Sequence, residues 1–127
     1  MARSTLATLM TTTIRDVVEA LSLRPGVDAV LVVGRDGLPI DSRVADGVDG
    51  ESVAALLPTV INGLGQLGEA GARGAFGSAV LEFGGGLAIV AVLHQDALLA
   101  VLVKPATNVG SLLFDLRRHR ASIAGLL

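Results

Sequence analysis

Gly63, Gly65 and Gly68 match the spacing G-x-G-x-x-G, the pattern that binds the pyrophosphate of a dinucleotide. That chemistry requires a strand before the glycines and a helix after them, so that the N-terminus of the helix faces the phosphates. Here the glycines lie inside a helical pattern without a βαβ unit, and the packing interpretation outweighs the nucleotide one. The sequence also lacks a G-x-x-x-x-G-K-[ST] loop, so the chain is not itself a P-loop GTPase.

The side chains that commonly bind metals or catalyse reactions are few and scattered. His94 and Asp96 fall in one predicted hairpin, and His119 lies near the C-terminal end on a different element. A zinc site needs several convergent ligands, whereas the chain has no Cys and a single carboxylate beside His94. No Ser sits in the context of a nucleophile elbow. We therefore expect no enzymatic activity, no metal and no cofactor.

Residues 117–120, Arg-Arg-His-Arg, form the only basic run. Cations in the last turns of a helix interact favourably with the helix dipole and with unpaired carbonyl groups. The favoured interpretation is that residues 117–120 stabilise the end of the last helix in this way. A patch for the acidic surface of a partner is the alternative. Arg35 and Asp36, at the tip of a predicted hairpin, are interpreted as turn residues.

The composition of the 127 residues excludes several classes of function. Ten Lys and Arg against twelve Asp and Glu give a net charge of −2, which attracts neither a phosphate backbone nor an anionic lipid surface. With no Trp, no Tyr and three Phe, the chain cannot build a platform that stacks bases. The most apolar stretch, residues 87–103, is interrupted at His94 and is too short to span a membrane. Because Cys and an export signal are both absent, we expect a cytoplasmic protein. From its charge and composition, we expect it neither to bind nucleic acid nor to insert into a membrane.

The hydrophobic pattern predicts one domain, residues 1–127, of class α/β (α+β). No crossover helix separates consecutive strands, so we expect a five-stranded antiparallel sheet in the order α-β-β-α-β-β-β-α. The last two strands lack polar alternation, which indicates helices on both faces of the sheet. The predicted elements are a helix from Leu6 to before Pro25, strands 27–33 and 38–43, a helix from near Glu51 to about Gly71 capped by Asp49, strands 78–83, 87–93 and 98–103, and a last helix that opens at Asn108.

Two segments resemble a known family. The segment PGVDAVLVVGRDGLPI, residues 25–40, resembles the opening hairpin of the roadblock/dynein light chain family, and NVGSLLFDLR, residues 108–117, is similar to its last helix. The order of the elements agrees with that family over almost the whole chain. The resemblance implies a non-catalytic homodimer that often binds small Ras-like GTPases. In bacteria, the family includes regulators of the gliding-motility GTPase and scaffold-like relatives.

The second helix is predicted to have three faces. Its core face holds Val53, Leu57, Val60, Leu64 and Leu67, at about 100° per residue. A second face holds small residues, and each glycine there costs roughly 1 kcal/mol, so the close approach of a second copy explains them. An early end of the helix is the alternative. Strand 78–83, expected at a sheet edge, is a template for pairing with its own copy. The predicted dimer interface is Ala54, Ile61, Gly65, Gly68, Ala79, Val80 and Leu81.

The third face of this helix is polar, with Thr59, Asn62, Gln66 and Glu69. Since the other two faces are assigned to the core and to self-association, we expect the partner to dock on this one. The sequence thus predicts a homodimeric, non-catalytic regulator or adaptor of a small Ras-like GTPase, of the activating or exchange-modulating type. A structural scaffold subunit without a GTPase partner is the alternative.

Overall fold

A computed structural model describes residues 13–127 of the chain. The elements follow the predicted order, and each strand begins and ends within one residue of its predicted position. The predicted start of the first helix near Leu6 lies outside the described residues. The elements are α1 (Ile14–Ser22), β1 (Val27–Gly34), β2 (Pro39–Val44), α2 (Gly50–Ala70), β3 (Ser78–Phe83), β4 (Gly86–His94), β5 (Ala97–Val103) and α3 (Val109–Ala124).

The five strands form one antiparallel sheet in the order β2-β1-β5-β4-β3, which confirms the predicted fold class. β1 and β5 occupy the centre and are almost entirely buried, because helices cover both faces. β2 and β3 are the two edges. At the β2 edge, Pro39 has no backbone N–H, and the N–H of Ser42 donates to the Asp41 carboxylate at 2.8 Å.

The two faces of the sheet carry different numbers of helices. α1 and α3 cover one face, where Leu21, Ile89 and Leu112 belong to the larger core. α2 alone covers the other face, where Leu57 and Ile61 pack on Leu31 and its neighbours. One face is therefore closed by two helices, and the other is only partly covered.

Polar side chains fix the start of each helix. At α1, Thr13 and Asp16 form a capping box, in which each side chain accepts the backbone N–H of the other residue. At α2, the Asp49 carboxylate accepts the Ser52 N–H at 3.1 Å and the Ser52 hydroxyl at 2.6 Å, as the predicted cap requires. These two hydrogen bonds, the hydroxyl first, hold the pKa of Asp49 below its usual range.

Candidate interaction site

The rotation of α2 about its axis differs from the predicted one. Ala54, Leu57 and Ile61 are buried on the sheet, and the small Ala54 side chain allows the helix to lie close to the strands. The assignment of Ala54 and Ile61 to a dimer interface is therefore wrong, because the chain's own core encloses both side chains. The predicted core face is confirmed at Leu57, which is buried, and at Val53 and Leu64, which pack against the smaller core. Apolar residues occupy two neighbouring arcs of this helix, and the buried arc is rotated from the predicted one toward Ala54 and Ile61.

The glycines of α2 lie within the helix, which continues to Ala70, so the predicted alternative of an early end is wrong. A Cβ at Gly68 would lie 2.6 Å from the carbonyl oxygen of Gly74, so Gly68 allows the following loop to pack on the helix. A Cβ at Gly65 would meet no atom within 4 Å. The interior position of the glycines also agrees with the packing interpretation of the G-x-G-x-x-G spacing, since no strand precedes them directly.

An exposed apolar surface lies on one side of α2 and continues to β3. Leu56 and Leu67 are 62% and 68% exposed, Val60 is also exposed, and Phe83 at the end of β3 is 61% exposed. We call these four residues the apolar flank. Leu56, Val60 and Phe83 line an apolar groove of about 180 Å³. The predicted core assignment of Val60 and Leu67 is wrong, and Leu56 was missed, although its spacing to Val60 and Leu67 is that of one helix face.

β3 lies at the sheet edge, as predicted, and pairs only with β4 among the described strands. Ala79 and Leu81 lie on the face that α2 covers, and both pack against the smaller core. Val80 lies on the opposite face and is exposed. The strand therefore presents an apolar edge beside the apolar flank.

The predicted polar face of α2 is exposed along its length, at Thr59, Asn62, Gln66 and Glu69. Asn62, Gln66 and Glu69 line a groove of about 350 Å³ together with Arg35 and Phe76. The backbone carbonyl of Gln95 accepts a hydrogen bond from the Arg35 Nε–H, which holds Arg35 at the rim of this groove. Arg35 was predicted to be only a turn residue, because the groove joins a hairpin tip to a helix that follows much later in the chain.

The residues considered above as possible metal ligands or catalytic groups do not come together in one site. His94 Nδ1 accepts the N–H of Asp96 at 3.3 Å within the β4–β5 turn, and His119 lies on α3. Within residues 13–127, no three His, Asp or Glu side chains are grouped as metal ligands. None of the helices in this part of the chain has the length and apolar character needed to cross a membrane.

The sequence matches the Roadblock/LC7 domain family over residues 13–103. The chain belongs to the Roadblock/LC7 family. This membership confirms the resemblance found in the sequence. Among proteins of curated function, none matches the chain by sequence.

Solved structures share this Roadblock/LC7 fold at low sequence identity. A Roadblock/LC7 domain from Streptomyces avermitilis is 20% identical, with a TM-score of 0.78 over 90% of this chain and 97% of that one. MglB from Myxococcus xanthus is 18% identical, with a TM-score of 0.80 over 91% and 95% of the two chains. An MglB with a tetrameric arrangement is 15% identical, with a TM-score of 0.78 over 99% and 92%. These similarities establish the fold.

The Roadblock/LC7 match covers α1, all five strands and α2, and it ends at Val103. α2 and β3, which carry the apolar flank and the polar face, are therefore parts of the family domain. α3 follows the matched residues, so the predicted similarity of residues 108–117 to the family's last helix lies outside that match.

Proposed function

We propose that the chain is a non-catalytic, homodimeric regulator of a small Ras-like GTPase. The observation that carries the proposal is the Roadblock/LC7 match over residues 13–103, since the resemblance to this family implies such a role. The fold shared with MglB supports it. The exposed surfaces of α2 and β3 offer separate places for the two partners that the proposal requires, a second copy and a GTPase.

The second copy is proposed to cover the apolar flank and the edge of β3. Large exposed apolar side chains that adjoin one another mark interaction surfaces, and an unpaired apolar edge strand is a template for pairing. A two-fold axis beside β3 would bring two copies of the strand together, with Leu56 and Phe83 covered by the partner helix. This interface keeps the predicted β3 residues, and the apolar flank takes the place of the four predicted α2 residues, Ala54, Ile61, Gly65 and Gly68.

The GTPase is proposed to contact the polar face of α2. Thr59, Asn62, Gln66 and Glu69 lie on a helix supported by the sheet, and a rigid element positions contacts better than a loop does. The groove beside them adds Arg35, whose guanidinium group donates hydrogen bonds in a planar fork. Two copies of α2 in a dimer would form a broader surface than one copy provides.

The proposed regulation is a shift between the conformations of the GTPase. A protein that binds one switch conformation more tightly increases its population, whereas equal affinity for both changes nothing. The chain has no phosphate-binding loop with its lysine, so hydrolysis is assigned to the GTPase. We expect the purified protein alone neither to bind nor to hydrolyse GTP. The cytoplasmic location stays a prediction.

The test measures binding to small Ras-like GTPases encoded beside the gene, each loaded with GDP or with a non-hydrolysable GTP analogue. We expect one nucleotide state to bind more tightly and Asn62→Arg/Gln66→Arg to abolish binding. Because exposed substitutions change stability by only about 0.5 kcal/mol, this variant should stay folded and dimeric. Asp46→Arg adds the same two units of positive charge at an exposed loop residue and should bind normally.

Two results would contradict the proposal. Equal loss of binding in Asp46→Arg would indicate a general effect of charge rather than contact at the polar face. Absence of binding to both nucleotide states would favour a scaffold subunit without a GTPase partner.

A further inference from the structure

The proposed dimer and GTPase contacts leave the basic run of α3 without a role. The helix continues to Ala124, so Arg117, Arg118 and Arg120 precede its last turn, which holds no basic residue. Interaction with the helix dipole decreases within one turn of the terminus. The favoured sequence interpretation, that these cations stabilise the end of the helix, is therefore wrong.

Within residues 13–127, the arginines of α3 differ from most of the other Lys and Arg residues in having no carboxylate oxygen within 4 Å. The cations that lie within 4 Å of a carboxylate oxygen are Arg15, Arg24, Arg43 and Lys104. Across residues 13–127, no such pair involves Arg117, Arg118 or Arg120. The positive charge of α3 is therefore not neutralised by a direct ion pair in the described part of the chain.

Helical spacing gathers part of this charge around an exposed aromatic ring. Phe114, Arg117 and Arg118 stand at positions i, i+3 and i+4, so they share one face of α3. All three are exposed, Phe114 at 61%. Asp115, the one acidic residue of the helix, accepts a hydrogen bond from Arg24 at 2.7 Å and is held on the α1 side. Arg120 lies against Gly77 at the start of β3.

We propose that the face formed by Phe114, Arg117 and Arg118, named here the arginine face, binds a short acidic segment of another protein. A guanidinium group matches the geometry of a carboxylate and forms two parallel hydrogen bonds to it. Phe114 offers an apolar surface that a leucine or similar side chain of the segment would cover. Aromatic residues and arginine are the types enriched where protein interfaces gain most of their affinity.

An acidic protein segment fits this face better than a lipid surface or a nucleic acid. Electrostatic binding to anionic lipid uses clusters of four to eight Lys or Arg, whereas two arginines stand on this face. Single-stranded nucleic acid needs a basic groove with several stacking rings, and α3 contains one aromatic residue.

The probe is a fluorescein-labelled peptide that repeats the triplet Glu-Glu-Leu. Its binding to the full chain is measured by fluorescence anisotropy in 50 mM salt. A peptide with Gln in place of each Glu, phosphatidylserine vesicles and an oligothymidine strand are measured in parallel. We expect saturable binding of the acidic peptide only, weakened by added salt. Arg118→Glu should lose about tenfold in affinity and Phe114→Ala several-fold.

Arg73→Glu is the matched control, since Arg73 is an exposed arginine outside α3 and undergoes the same change of charge. It should retain affinity within about twofold, and circular dichroism should show all variants folded. The proposal is overturned by absence of saturable peptide binding, by equal binding of the Gln peptide, by equal losses in Arg118→Glu and Arg73→Glu, or by tighter binding of vesicles or DNA. Salt-sensitive association of the chain with itself that Arg118→Glu abolishes would also overturn it, in favour of a second copy.

Discussion

The two faces of the sheet are covered differently, and the difference leaves large apolar side chains exposed beside the single helix α2. On one face, α1 and α3 together bury residues of β1, β4 and β5 and leave a closed core. On the other, α2 crosses the sheet alone, and the apolar flank remains outside the smaller core. One helix is too narrow to cover five strands. The uncovered part is apolar, so its burial against a partner would be favourable.

The same contrast separates stability from assembly. Truncating a side chain inside the closed core removes contacts that fold the chain. Truncating one on the apolar flank removes little from the folded protomer, because that side chain already contacts water.

The largest effect is expected from Leu112→Ala on the closed face. Leu112 is 2% exposed, and the cavity left by its truncation should lower the free energy of unfolding by about 2–5 kcal/mol. The same substitution at Leu56, which is 62% exposed, should cost the protomer little. Urea denaturation at one low protein concentration measures both variants. Similar losses in the two variants would contradict the difference between the faces.

The second expected effect is loss of the dimer on introduction of charge into the apolar flank. Leu56→Asp/Val60→Asp would place two carboxylates at the proposed interface, where burial without a partner is costly. Light scattering at micromolar concentration should give about twice 12.9 kDa for the wild type and a mass near 12.9 kDa for the variant. Leu23→Asp, at an exposed apolar residue after α1, should remain dimeric. A monomeric wild-type protein would refute the proposed interface.

A pair of glycine substitutions on α2 should have effects of opposite sign. Gly68→Ala forces a Cβ to within 2.6 Å of the Gly74 carbonyl oxygen, and the required shift should cost about 1–3 kcal/mol. Gly65→Ala meets no atom within 4 Å and should gain up to about 1 kcal/mol from helix propensity. Chemical denaturation of both variants checks the signs. A loss at Gly65 would show that a partner approaches closely there, as the sequence analysis expected.

The smallest effect concerns the cap of α2. The lowered pKa of Asp49 means that its ionised form stabilises the folded state above the ordinary value of 3.8, and that this contribution is lost as the pH falls through the lowered pKa. Asp49→Ala should therefore melt below the wild type at pH 7, with a smaller difference at pH 3. Asp49→Asn keeps a capping side chain and should show less of this pH dependence. A difference in melting temperature that is constant between pH 3 and pH 7 would contradict this assignment.

The fold was predictable because the sequence features that determine it lie within short segments of the chain. Gly and Pro residues mark the turns, and continuous apolar strands 87–93 and 98–103 require cover on both faces. The Asp49 cap followed from one residue type at one position. The second helix begins and ends within one residue of the predicted positions for the same reason.

The interaction site was less predictable because it depends on the rotation of α2. Apolar residues occupy so much of this helix that two neighbouring arcs qualify as the core face, and only packing on the sheet decides between them. Ala54 and Ile61 were therefore assigned to the surface, and Val60 and Leu67 to the core. The position of Arg35 beside the polar face depends on a contact between distant segments, which the pattern of one helix does not contain.

The β2 edge is less suited than the β3 edge to strand-mediated assembly of this chain. An incoming strand needs outward backbone N–H groups, yet Pro39 has none and the N–H of Ser42 is already taken by Asp41. β2 is therefore a poorer template for an added strand than β3. If two protomers join at β3, the combined sheet terminates in a β2 strand at each side, and the product is a particle of fixed size rather than a fibre.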